Sequence, residues 1–171
     1  MSLIASHPSS AMDRTAMSRM VRHDQSSPGL LEEAAMRDAL AATGEVDVYY
    51  DTRLDVIHKI DALAVSKRTP LAEAVGIQFT TARGACPVKK KKTIMAWRKT
   101  DAVRRFVYLR SRAPMRREAG PILLALVQLA ACQPDSRAIL FATLQLDRGG
   151  HFCLSQVEAY PLTFNPNDWR Q

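Results

Sequence analysis

No apolar run in this sequence approaches the roughly 20 residues that a membrane-spanning helix needs, although apolar residues make up 47% of the chain. A transmembrane helix is therefore excluded on length. The stretch from Met1 to Met20 also lacks the uninterrupted apolar segment and small-residue cleavage site of a secretory signal. Export by that route is not expected, and a cytoplasmic location is. Cysteine is scarce: Cys86, Cys132 and Cys153 are far apart, odd in number and outside any metal-ligand spacing. Neither a disulfide framework nor a zinc site is expected from that pattern, and reduced thiols are. No glycine-rich strand-to-helix turn leads into a lysine and a hydroxyl, so no nucleotide loop is present, and Gly149-Gly150 reads as a turn. His58 has no Ser, Cys or Asp placed to complete a triad, and a plain strand histidine is expected there. There is no internal repeat.

What is present is positive charge on a chain of single-domain length. The formal charge is +7 over 171 residues, which favours contact with polyanions without identifying one. Residues 1–28 are rich in Ser, Met, Arg and His, show no sustained period and end in Ser26-Ser27-Pro28-Gly29; a disordered leader is expected there. Residues 29–163 then form one α/β domain with a central mixed sheet flanked by helices, and residues 164–171 a tail.

Periodicity sets the expected order as helix, three strands, helix, strand, helix, two strands. Leu30, Leu31, Ala34, Ala35, Met36, Ala39 and Leu40 recur at helical spacing, with Gly44 as the stop. Val46, Val48 and Tyr50 alternate with polar neighbours, as do Leu54, Val56 and Ile60, which predicts two strands joined near Asp51-Thr52-Arg53. The second is expected to run through Val65 and to end before Pro70. Val75 to Thr81 is a third strand. Lys89 to Lys92 lead into a helix through Ile94, Trp97 and Val103, and Arg105 to Arg110 make a fourth strand. A strongly apolar helix over 119–131 follows, then two strands around Asp147-Arg148-Gly149-Gly150-His151, whose glycines suit a hairpin turn.

Over residues 29–110 this order, with two short passages, resembles the restriction-endonuclease-like, or PD-(D/E)XK, superfamily of nucleases and their inactive relatives. In that family an acidic residue sits on the second strand and an acid-x-lysine triplet on the third. Lys59-Ile60-Asp61-Ala62-Leu63 stands in the first place, and Gln78-Phe79-Thr80 in the second. Glutamine replaces the first acid of the triplet in some members. Thr80 departs from the pattern, because a hydroxyl cannot replace an ammonium. The resemblance implies a site in which Asp61 and Gln78 hold Mg²⁺ or Mn²⁺, the amide oxygen of Gln78 contributing less than a carboxylate would. Lys89 would then stand in for the missing lysine, and Glu32 or Glu33 would add a carboxylate.

Lys90, Lys91 and Lys92, with Arg98 and Lys99, make a phosphate-tracking patch or an ordinary hydrated helix face. Trp97 among them either stacks on a base or packs in the core. Arg110, Arg112, Arg116 and Arg117 add a second basic cluster. The expected function is a nucleic-acid-associated domain with an altered nuclease-like site that binds DNA or RNA more readily than it cleaves. The alternative is an adaptor that meets an acidic protein, or a homo-oligomer formed through the edge of its late strands. No membrane partner is expected.

Overall fold

The computed structural model describes residues 27–68, 73–81, 86–101 and 103–163. The expected leader, apart from its last residues, and the tail with Phe164 and Trp169 lie outside them, as do Pro70 and the loop residues Arg83 to Ala85.

The first helix, α1 (Pro28–Ala41), opens with Ser27 at its N-cap and Pro28 in its first turn, where a missing N–H costs nothing. Its buried residues Met36, Ala39 and Leu40 follow helical spacing, and Gly44 turns the chain at φ +73°. β1 (Val46–Tyr49) follows. The next seven residues form α2 (Thr52–His58) where alternation predicts the start of a strand. Asp51 explains the difference: its carboxylate accepts a hydrogen bond from the Arg53 backbone N–H at 2.6 Å and so caps a short helix. Lys59 then ends that helix in the left-handed region at φ 55°. Of the alternating residues, Leu54 packs on a core cluster while Val56 faces solvent.

β2 (Ala62–Ser66) and β3 (Val75–Thr81) complete an antiparallel meander with β1. Helix α3 (Pro87–Arg98) then crosses to β4 (Arg105–Ser111), which lies parallel to β3. Val103 is buried beyond the end of α3 rather than within it. A single 3₁₀ turn, Arg117–Ala119, leads into α4 (Gly120–Ala131), and β5 (Ala138–Leu146) adds parallel to β4. β6 (Phe152–Pro161) returns antiparallel as the outer strand. The turn before it is built by Asp147, whose carboxylate accepts from the N–H groups of Gly149 and His151, with Gly150 at φ +79°.

The result is one mixed sheet of six strands whose spatial order is the sequence order, flanked by helices. No helix among the described residues is long and apolar enough to cross a membrane. Alternate residues of each strand feed two cores. On the first face, Ile77, Phe79, Val107, Leu109, Leu140 and Leu144 pack beneath α1 and α4. On the second, Ile60, Phe106, Tyr108, Ile139 and Phe141 pack beneath α3 through Ile94 and Trp97. Where α1 and α4 meet there is no room for a side chain: a Cβ on Gly120 would stand 2.5 Å from the Ala39 carbonyl oxygen.

Candidate functional site

Antiparallel pairing of Ala62 with Ile77 sets the register that carries Asp61 to Gln78. The Asp61 N–H donates to the Ile77 carbonyl at 2.8 Å, and Arg37 of α1 holds the Asp61 carbonyl at 3.1 Å. The carboxylate oxygen Oδ2 of Asp61 accepts from the Phe79 N–H at 2.7 Å and from Nε2 of Gln78. Gln78 also donates from Nε2 to the Phe79 carbonyl at 3.2 Å. Both partners of this amide group are acceptors, so its nitrogen, not its oxygen, faces Asp61. Asp61 is 1% exposed and Gln78 3%.

These two form the floor of a cleft of about 380 Å³. Glu33 of α1, with Asp55 of α2 and Lys59 at its C-cap, bounds one side. Cys86, Val88, Lys89, Lys92 and Thr93 at the start of α3 bound the other. Burial pushes Asp61 up to about 8; the charges of Glu33 and Asp55 add to this, while the Phe79 N–H and Lys89 oppose it. Burial, with Asp55, also raises Glu33. The backbone N–H groups of Lys89 and Val88 hold the Cys86 thiol below its usual range, as expected at a helix N-terminus. At neutral pH Asp61 is therefore mostly protonated, and the lysines around the cleft outweigh its remaining acids.

A divalent ion of the kind the sequence suggests would have to compete with these hydrogen bonds. Mg²⁺ takes oxygen ligands at about 2 Å, usually one or two carboxylates with water completing the shell. Here Oδ2 of Asp61 is already occupied by two donors, and Gln78 turns N–H rather than oxygen toward it. Among the described residues no group of three His, Cys, Asp or Glu side chains is placed to hold a metal. What the cleft presents beside its carboxylates is the ammonium groups of Lys59, Lys89 and Lys92, which suit an anion.

The structure thus brings Asp61, Gln78, Lys89 and Lys92 to one cleft, together with Glu33. Glu32 is elsewhere, accepting from the Met115 N–H at 2.6 Å. Lys90 turns away onto the sheet, its Nζ 4.2 Å from the Phe141 ring centroid and 5.5 Å from that of Tyr108. Lys91 is exposed. Arg98 and Lys99 lie at the other end of α3, roughly 14 Å along its axis at 1.5 Å per residue, and Arg98 donates to the Leu162 carbonyl. The basic residues near α3 therefore form no single patch. Trp97 is a core residue, fully buried, stacked on Phe106 at 4.6 Å and donating to the Lys59 carbonyl at 3.1 Å. His58 sits in α2, not a strand, with Nδ1 3.0 Å from the Thr100 hydroxyl. That hydroxyl donates to the Ala96 carbonyl, so His58 is the donor in a structural tie between α2 and the end of α3.

Sequence reasoning did not reach Asp55, Lys59, Cys86, Val88 or Thr93 as cleft residues. The Cys86-Pro87 pair, a helix start with proline in the first turn, is the signal that was available. Compared with protein-family models, curated proteins and solved structures, the chain matches none.

Proposed function

We propose that this chain is a nucleic-acid-associated domain of nuclease-like fold, whose altered site binds a phosphodiester backbone and does not efficiently cleave it. The observation that carries this reading is the pairing of Asp61 and Gln78 on the floor of a cleft flanked by Lys89 and Lys92. In the PD-(D/E)XK arrangement those two positions serve a metal. Here the hydrogen bonds between them fill that role with protein donors, while the lysines remain beside the cleft to meet a phosphate.

Lys89 and Lys92 supply charge at the first turns of α3, at the positive end of the helix dipole. The protonated Asp61 removes a charge that would otherwise repel phosphate. No cleavage step is built from these residues.

The test is binding and cleavage in the same samples. Labelled single- and double-stranded DNA and RNA are incubated with wild type, Asp61→Ala and Asp61→Asn, with and without Mg²⁺ or Mn²⁺. The expected result is binding that needs no metal, weakens steeply with salt, and leaves the strands intact. Metal-dependent cleavage lost in both variants would make this a working nuclease instead. Absence of binding to any nucleic acid at low salt would overturn the reading and turn attention to acidic proteins.

A further inference from the structure

Beyond the cleft, the second face of the sheet becomes polar along a line that the Asp61 site does not use. Parallel register sets Thr80 beside Arg110 and Arg110 beside Thr143. All three project to the same face as Gln78, Tyr108 and Phe141, one pleat further along. Thr80 and Thr143 are buried, while Arg110 between them is partly exposed. Its Nε is buried and meets no acceptor among the described residues. Lys90 reaches the same region from α3, over the Phe141 ring. Burial depresses the Lys90 ammonium, with Glu158 opposing that shift and Arg110 adding to it.

The buried Nε of Arg110 forfeits the hydrogen bond it made in water, and the Lys90 ammonium lies on the same face of the sheet. An anion beside Arg110 restores that bond. Arginine's planar fork matches two phosphate oxygens, and lysine adds a point charge from above. Tyr108, which pairs in register with Gln78 on one side and Phe141 on the other, joins this region to the cleft floor. Adjacent strands are about 4.8 Å apart, so Arg110 is one strand over from the Gln78 strand and one pleat beyond it.

We infer that Arg110 and Lys90 form a second phosphate subsite, which holds the backbone of the same nucleic-acid strand that enters the Asp61 cleft. That strand then crosses β3 and β4 instead of running along them. The inference rests on the proposed function and extends it.

Fluorescence anisotropy with labelled single-stranded and duplex oligonucleotides over a range of salt tests it. Wild type is compared with Arg110→Met, Lys90→Met and Arg148→Met, the last removing an equal charge from the exposed hairpin turn. Arg110→Met is expected to weaken binding about tenfold and to lower the salt slope by about 1. Lys90→Met should act in the same direction. Arg148→Met should change affinity by less than about twofold, since a distant charge is screened. Arg110→Lys, which keeps the charge and loses the fork, should fall between and serves if the methionine variant does not fold, as read by thermal unfolding. Wild-type binding with Arg110→Met and Arg148→Met equally affected, or neither affected, would overturn the subsite and leave the proposed function standing. Wild type that binds no nucleic acid would overturn both.

Discussion

The two faces of the sheet use the same strands in different ways. On the first, Ile77, Phe79, Val107, Leu109, Leu140 and Leu144 form an apolar layer under α1 and α4, with Arg105 and Ser111 in the rows at its two ends. On the second, Phe106, Ile139 and Trp97 make a dry core at one end, while Asp61, Gln78, Arg110 and Thr143 make the other end polar. A helix of twelve residues can seal only part of a six-stranded face. Its C-terminal half supplies Ile94 and Trp97 to the core, and its N-terminal half supplies lysines. The polar end of the second face lines the cleft that α3 leaves open.

This contrast is broken most severely at Trp97. Trp97→Ala should cost about 3–5 kcal/mol, because it empties the stack on Phe106 and removes the tie to the Lys59 carbonyl. Chemical denaturation measures the loss; a cost below about 1 kcal/mol would mean that α3 is not held by this core. On the first face, Gly120→Ala should cost about 1–3 kcal/mol, since the new methyl meets the Ala39 carbonyl and must push α1 from α4. An unchanged midpoint would show that the two helices adjust freely.

The last effect has the opposite sign. Asp61 titrates at about 8 in the fold, raised from 3.8 chiefly by burial. Between those values the folded state keeps a proton that the unfolded state releases, so this group's contribution to stability falls as pH rises from about 4 to 8. Asp61→Asn removes that penalty while its amide oxygen still accepts from Phe79 and Gln78. The variant should match wild type near pH 4 and exceed it by up to about 5 kcal/mol at pH 8. Urea titrations at both values measure the difference. A variant less stable than wild type at pH 8 would mean that Asp61 is ionised and held by its donors.

The element order was legible because strand alternation and helical spacing are local properties. Helix α2 was not, since Leu54, Val56 and Ile60 satisfy a period of two as well as a capped turn, and the capping bond of Asp51 decides between them. The meeting of Asp61 with Gln78 depends on the offset between β2 and β3, which pairs Ala62 with Ile77. Neither strand alone specifies that offset. Arg110 could be read as one basic residue of a cluster, but its position beside Thr80 and Thr143 follows from two parallel pairings set by separate crossovers. The cluster itself does not assemble: Arg117 lies at the junction of α1 and α4, away from Arg110.

The sequential strand order also bears on how the chain folds. Each strand pairs only with its neighbours in the chain, from β1 through β6. No strand must be inserted later between two already paired, so the sheet can grow from one edge to the other as a chain emerges from the ribosome. Synthesis at about 5–20 residues per second leaves time for the β1–β3 meander to settle before β4 is available. The two parallel additions await α3 and α4 and are expected to be slower than the closing of β6 onto β5 through a local hairpin.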